Sequence, residues 1–408
     1  MPVRDVMRQV LQYLRFERSP QAIKSLDGLR AIAIILVLFR HAIRPFANAG
    51  HSTLTFLGYD LLIPMANGWV GVDLFFVLSG FLVTHHLLKR SPREITGLDV
   101  REYLIRRFLR IVPAYYAVLF LIVLGWVPGY TVPADGLEQQ LFRHLLFLQD
   151  YYPSGLMASF WSLGVEEKFY FAIPFLVIPL TRVPTAREQI RRLTLLLALP
   201  VGLRLLTYIS QPAAAHQYQV CFFTLRSPFH LAVDALLIGT MCGFLVFHAD
   251  QFPCLRNPRF LKGLFWCGAT AGCGLLFSQE ILKQIHWFEA TLLFPLLAIV
   301  GGALLLPLVL QGSMGGGILN SRVLFWFSKL SYSLYLVHML FVESLWHLAC
   351  RWDWFDNLTP GGQFLVYLPA YLVVSIGAAL LLHYTVEKPF LLLKDRPHSR
   401  RVESAIPA

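Results

Sequence analysis

The sequence predicts an all-α, polytopic integral membrane protein, a bundle of about ten transmembrane helices. Three observations carry that prediction. Of the 408 residues, 56% are hydrophobic and only 14% are charged, well below the charge share of a soluble domain. The mean hydropathy is +0.57. Apolar runs long enough to cross a bilayer recur along the chain, and Lys and Arg gather in alternate connections, as in cytoplasmic loops. That distribution assigns the net charge of +11 to membrane topology and argues against nucleic acid.

Residues 1–24 read as a cytoplasmic amphipathic segment. Val3, Val6, Met7, Val10, Leu11 and Leu14 recur at helical spacing with Arg4, Arg8 and Arg15 between them, which suits an anionic inner leaflet. A plain basic tail is the alternative. The charged start and the lack of a small-residue cleavage site predict a first span that stays in the membrane. The membrane domain is expected over 25–390, with spans at 26–43, 69–88, 108–127, 160–180, 193–209, 229–247, 263–277, 288–310, 330–347 and 364–384. Basic clusters at 89–93, 101–110, 182–192, 256–262 and 322–329 fall on one side, and a basic tail at 391–408 joins them. Both termini are therefore expected in the cytoplasm, with the bundle in a bacterial inner (plasma) membrane. On the other side, 128–159 is the longest connection, and its amphipathic piece at 141–148 could cover a site. The six cysteines show no metal-ligand spacing; Cys221 and Cys350 both fall outside, where a pairing stays open.

The first span holds the pattern that organises the rest. Arg30 and His41 are eleven positions apart, so on a helix they share a face and stand about 16 Å apart along the axis. Other intramembrane polar groups then sort into two layers. Arg106, Arg107, Arg110 and Lys329 join Arg30 near the inner surface, while Asp73, Glu166, Glu167, Arg204 and Asp234 join His41 in the outer half. Tyr335 and His338 fall near mid-depth on one helix face.

Arg107 and Arg110 stand on adjacent turns, a spacing suited to bidentate phosphate contact, although positive-inside anchoring accounts for it as well. Acids inside a span are costly and tend to be paired or functional. Glu166 or Glu167 could orient the His41 imidazole or accept a proton, and either could instead pair with Lys168 or Arg204. Arg204 and Asp234 read as a buried ion pair joining two helices. Asp73 and Ser79 share one span, where Ser79-Gly80 also suits close helix packing. Tyr335 and His338 read most simply as a hydrogen-bonded packing pair.

Six stretches in order resemble the membrane-bound acyltransferase-3 family over nearly the whole chain. They are Leu26-Asp-Gly-Leu-Arg30 with His41, Gly71-Val-Asp-Leu-Phe-Phe-Val-Leu-Ser-Gly-Phe81, Arg107-Phe-Leu-Arg110-Ile-Val-Pro113, Trp161-Ser-Leu-Gly-Val-Glu-Glu-Lys-Phe-Tyr170, Ser331-Tyr-Ser-Leu-Tyr-Leu-Val-His338 and Glu387-Lys-Pro389. The resemblance implies transfer of an acyl group, commonly acetyl, from cytoplasmic acyl-CoA to a hydroxyl of an extracytoplasmic or lipid-linked carbohydrate. Some relatives modify peptidoglycan or antibiotics, so a small-molecule acceptor stays open. Longer relatives append a periplasmic hydrolase-like domain, and this sequence is expected to be the stand-alone, carbohydrate O-acetyltransferase-like form.

On that resemblance His41, Glu166, Glu167 and Asp73 are the catalytic candidates. Arg30, Arg107, Arg110, Tyr335 and His338 are the candidates for holding acyl-CoA. His41 would act as general base on the acceptor hydroxyl or carry the acyl group itself. The chemistry calls for acyl-CoA (acetyl-CoA) as donor and for no metal. The expected partners are acyl-CoA, a glycan acceptor and the lipid bilayer, with the oligomeric state open. A transporter or flippase for a lipid-linked or acidic solute is the rival, since it shares many spans and buried charges. The lack of internal repeats weighs against it, and Pro174 with Pro179 in one span weighs for it.

Overall fold

A chain in hydrocarbon must satisfy its backbone N–H and C=O groups internally, so the apolar runs fold into helices. The computed structural model describes residues 13–16, 18, 23–50, 54–89, 97–127, 130, 132, 136–152, 154–211, 218–278, 285–312, 314 and 316–394. Among the described residues ten helices reach fourteen residues or more. They are α1 (Lys24–Asn48), α2 (Val70–Lys89), α3 (Gly97–Val123), α4 (Trp161–Thr181) and α5 (Ala186–Ser210), followed by α6 (Asp234–Phe247), α7 (Pro258–Phe277), α8 (Leu293–Leu310), α9 (Arg322–Val337) and α10 (Pro360–Leu382).

Six helical segments are long and apolar enough to cross a membrane: Leu62–Lys89, Ala186–Ser210, Pro258–Phe277, Leu293–Leu310, Arg322–Ala349 and Pro360–Leu393. The protein is all-α, polytopic and integral to the membrane. Of the other long helices, α1, α3 and α4 carry ionisable groups of the candidate site, and α6 is short. Most of the expected amphipathic N-terminal segment (residues 1–12) and the basic tail beyond 394 lie outside the described residues.

Several expected spans are interrupted. The third ends at Val123, where Gly125 at φ +65° supplies a left-handed stop soon after the helix. The sixth does not run unbroken from 229: a π-helical turn at Phe222–Arg226 and a short helix at Phe229–Ala232 precede α6. The eighth is divided at Leu292 between Trp287–Thr291 and α8. The ninth begins earlier than expected, at Arg322, and α9 gives way to a 3-10 turn at His338–Phe341 before Val342–Ala349. A hairpin that hydropathy does not predict pairs Thr55 with Asp60 and Phe56 with Tyr59. Its two turn residues, Leu57 and Gly58, both have positive φ, the mark of a type I′ turn. Tyr59 donates to the Phe277 carbonyl at 2.9 Å, tying the hairpin to the end of α7.

α2 is the central helix. In the most apolar window of Leu62–Lys89, 72% of residues are buried, against 17% in α5 and 11% in α7, which leaves those two facing lipid. Glycines set the crossings around α2. A Cβ on Gly71 would lie 2.4 Å from the Ala33 carbonyl oxygen of α1. On the opposite face, a Cβ on Gly80 would lie 2.1 Å from the Leu236 oxygen, and one on Gly239 of α6 would lie 2.2 Å from the Val77 oxygen. Backbone meets backbone at these points, as in small-residue packing of membrane helices. α9 packs beside α1, α10 beside α9, α8 against α6, and α4 against α2. All six cysteines are free thiols, so Cys221 and Cys350 are not paired.

Candidate active site

The α1 face that carries Arg30 and His41 borders two different environments. At the Arg30 end, α1, α2, α3, α4 and α9 enclose a cavity of about 80 Å³. Arg30, Ser79, Arg110, Glu166, Tyr170 and Tyr335 are among its lining groups, with Val72, Phe75, Phe76 and Leu163 giving it apolar walls. Ser79 donates to Glu166 Oε1 at 2.7 Å. The Tyr335 hydroxyl sits 2.5 Å from Ser162 Oγ and donates to the Ser159 carbonyl at 2.6 Å. Tyr332 donates to the Ile111 carbonyl at 2.6 Å, joining α9 to α3. The walls are thus hydrogen-bonded to each other, which fixes a polar cavity inside an apolar bundle.

The basic groups at this end divide by role. Lys329 lies within the electrostatic reach of Arg30, Arg110, Arg18 and Asp27. Arg18 holds Asp27 at 3.0 Å, and Ser328 donates to the same carboxylate at 3.2 Å. Arg106 is paired with Glu102 at 2.7 Å, one turn away. Arg107 stacks over Tyr170 and Tyr103, with its guanidinium carbon 5.3 and 5.7 Å from the ring centres. Of the two arginines expected on one phosphate-facing surface, Arg110 lines the cavity, while Arg107 lies over Tyr103 and over Tyr170, itself a lining residue.

At the far end of the shared face, His41 meets His338. Their rings are 5.0 Å apart between centroids, and His338 Nε2 lies 3.3 Å from His41 Nδ1. His41 Nδ1 is also 2.9 Å from the Val37 carbonyl, one turn back on α1. His338 is fully buried, and its Nδ1 lies 2.9 Å from the Tyr335 carbonyl and 3.1 Å from the Leu334 carbonyl. The 3-10 turn that starts at His338 places the ring there. Tyr335 and His338, expected in a donor-binding layer, thus split: Tyr335 lines the cavity and His338 faces His41. The partner expected for His41 was Glu166 or Glu167; the imidazole beside it is His338, and Glu166 is bonded to Ser79 instead. Glu167 lies among Tyr103, Tyr115, Tyr116 and Tyr332, with Oε1 buried and without a hydrogen-bond partner.

The remaining charged residues form struts. Asp73, placed among the catalytic candidates by sequence, accepts both arms of Arg226 at 2.8 and 3.2 Å. The Arg226 guanidinium also lies over Phe294, Trp69 and Trp161, at 4.5, 4.8 and 5.5 Å. Arg204 pairs with Asp234 at 2.5 Å, the ion pair expected from sequence, and donates to the Leu231 carbonyl at 2.9 Å. Lys168 reaches neither glutamate; it pairs with Asp150 at 2.6 Å and donates to the Phe147 carbonyl.

Asp150 belongs to the connection between α3 and α4, whose helix Leu137–Leu145 covers part of the stretch expected to be amphipathic. Gln149 donates to the Phe160 carbonyl at 2.9 Å, and His144 bridges Tyr115 (2.9 Å) and Ser154 (2.6 Å). The connection is therefore built onto the entry to α4. Arg226, Ser162 and Tyr332 escaped the sequence reading. Arg226 had a signal, being an arginine on the side of the membrane that carries few basic residues. The other two lie inside the Trp161–Tyr170 and Ser331–His338 stretches that carry the resemblance, but were not singled out there.

The model of the acyltransferase-domain family matches residues 23–384. YrhL of Bacillus subtilis (strain 168), provisionally named a peptidoglycan O-acetyltransferase, is 26% identical over 93% of this chain and 56% of its own length. The peptidoglycan O-acetyltransferase OatA of Listeria monocytogenes is 26% identical over 78% of this chain and 49% of its own. This chain spans about half the length of these curated relatives. No solved structure matches it significantly. With the match covering most of the chain and all of the cavity-lining helices, the chain belongs to the acyltransferase-3 family.

Proposed function

We propose that the protein transfers an acyl group, most simply acetyl, from cytoplasmic acyl-CoA to a carbohydrate hydroxyl on the far side of the membrane. The observation that carries this reading is the arrangement along one face of α1: a cavity ringed by Arg30 and Arg110 at one end and the His41 imidazole at the other. The basic end suits the phosphate groups of CoA, which guanidinium groups hold by charge-assisted hydrogen bonds. The small, partly apolar cavity suits the slender pantetheine arm, whose acyl thioester would pass along it toward His41. Glu166 with Ser79 forms the polar wall past which that thioester would lie. Glu167, Asp73 and Arg107 hold the surrounding helices in this reading.

His41 Nδ1 faces a carbonyl, so it carries the proton and Nε2 keeps its lone pair. Nε2 takes the proton of the acceptor hydroxyl as the oxygen attacks the thioester carbonyl. The tetrahedral intermediate then collapses, the carbon–sulfur bond breaks, and the imidazolium returns the proton to the departing thiolate. One ester and one CoA thiol result. A route through acyl-His41 uses the same lone pair as nucleophile. The relatives named for peptidoglycan O-acetylation support a cell-envelope glycan as acceptor.

The test is mass spectrometry of envelope glycans from cells lacking the chain, complemented with wild type or His41→Ala. The expected result is loss of an acyl substituent that wild type restores and His41→Ala does not. Unchanged glycans in every strain would overturn the carbohydrate acceptor and move the reading to a small-molecule acceptor or to transport.

A further inference from the structure

A base inside a bundle needs a neighbour that fixes its ring and shares the charge it gains, and here that neighbour is a second imidazole. We propose that His338 is the positioning residue of His41: its Nε2 lone pair accepts the His41 Nδ1–H and leaves His41 Nε2 open to the acceptor hydroxyl. The inference rests on the acyltransfer reading of His41 and adds the group through which that base is held.

One assignment of protons satisfies the four contacts around the pair. His338 Nδ1 faces two carbonyls, at 2.9 and 3.1 Å, and carbonyls only accept. That nitrogen therefore bears the proton, and in the neutral ring Nε2 keeps a lone pair. His41 Nδ1 faces the Val37 carbonyl at 2.9 Å and so also bears a proton. Across the 3.3 Å gap a donor then meets an acceptor, shared with Val37. The reverse tautomer of either ring would set lone pair against lone pair, or N–H against N–H, in a place where His338 has no access to water.

The choice of imidazole over carboxylate has a physical reason. A carboxylate at this depth would add a fixed negative charge that a bundle must neutralise, as Arg226 neutralises Asp73. A neutral imidazole supplies a lone pair without net charge. When His41 Nε2 takes the hydroxyl proton, the Nδ1–H becomes a cationic donor, and both Val37 and His338 hold it more strongly. The break of α9 into a 3-10 turn at His338 is the local device that aims the ring.

Two measurements on the full chain in lipid nanodiscs test this. Nitrogen NMR of histidine-labelled protein, with signals assigned by the His41→Ala and His338→Gln variants, should show both rings protonated at Nδ1 and a coupling from His41 Nδ1 to His338 Nε2. A His41 ring protonated at Nε2, or no coupling, overturns the proposal whatever the acceptor. In turnover, read as CoA thiol release from acetyl-CoA with chitopentaose, His338→Leu should lower kcat roughly 10- to 100-fold with KM for acetyl-CoA unchanged. His338→Gln, whose Oε1 can accept where Nε2 did, should recover to within a few-fold, and His338→Leu should add nothing to His41→Ala. Equal losses in the Leu and Gln variants return His338 to packing, and a loss confined to KM returns it to donor binding. Full turnover in His41→Ala would instead sink the acyltransfer role of His41, an outcome separable from the NMR result.

Discussion

Asp73 and Arg226 are both buried, so removing either one strands the other in a low-dielectric interior. Asp73→Ala is expected to cost about 3–5 kcal/mol of stability, while the double replacement Asp73→Leu with Arg226→Met costs less than either single change. Thermal unfolding in detergent, followed by tryptophan fluorescence, checks the ordering; a double mutant weaker than both singles would show that the pair is more than a strut. Arg110 and Arg107 should separate in the same way. Arg110 lines the cavity and Arg107 lies on tyrosine rings. Arg110→Ala is expected to weaken acyl-CoA binding about tenfold or more, the scale of a lost charged hydrogen bond, and Arg107→Ala to weaken it less. Calorimetric titration with acetyl-CoA distinguishes the two, and equal losses would restore both to one phosphate site.

Helix crossings carry the next level. Gly239 has no room for a Cβ against the Val77 oxygen, whereas a Cβ on Gly274 of α7 would meet open space. Gly239→Ala should therefore destabilise by roughly 1–3 kcal/mol. Gly274→Ala should stabilise by about 0.5–1 kcal/mol, through helix entropy alone. Opposite shifts in melting temperature are the expected pair of results.

The connection between α3 and α4 makes a pH prediction at the same level. Burial pushes the His144 imidazole down to about 4 from 6.5. The unfolded chain binds that proton near pH 6.5 and the folded chain only near 4, so this contribution is complete above 6.5 and is lost as pH falls from there toward 4. Proteolysis within 137–160 should quicken between pH 7 and pH 5, and His144→Gln should flatten that dependence. A rate independent of pH in the wild type would mean that His144 does not hold the segment.

For the molecule as a whole, the basic cavity and the imidazole pair lie at opposite ends of one helix face. Sealed vesicles with uniformly oriented protein should therefore consume acetyl-CoA only from the Arg30 and Arg110 side. Ester should form on a glycan supplied to the His41 side. Product on the same side as the donor would break the vectorial reading while leaving the acyltransfer chemistry intact.

How much of this was legible in the sequence follows the range of the interactions. Hydropathy is a local property, and it located the apolar stretches of the long helices. It missed the starts of α3 and α5, which begin eleven and seven residues before the expected spans, and the breaks at α6, α8 and α9. Those breaks depend on tertiary packing, which lets a π turn or a 3-10 turn survive. The phase of Arg30 and His41 follows from helix geometry alone and was readable from their spacing of eleven positions. The partners of the polar groups were not. Ser79 and Glu166 are 87 positions apart, Asp73 and Arg226 are 153, and His41 and His338 are 297. Several acids and bases of similar depth could have served each one.

The sequence by itself determined the membrane bundle, the polar groups buried in it and the family, because composition, periodicity and motif order are properties of the chain. Only the tertiary structure decided which of those groups meet. That choice is made where Gly71, Gly80 and Gly239 let helices approach backbone to backbone. A hydrogen bond requires its partners within about 3 Å, a distance set by those crossings and by no local feature of the sequence.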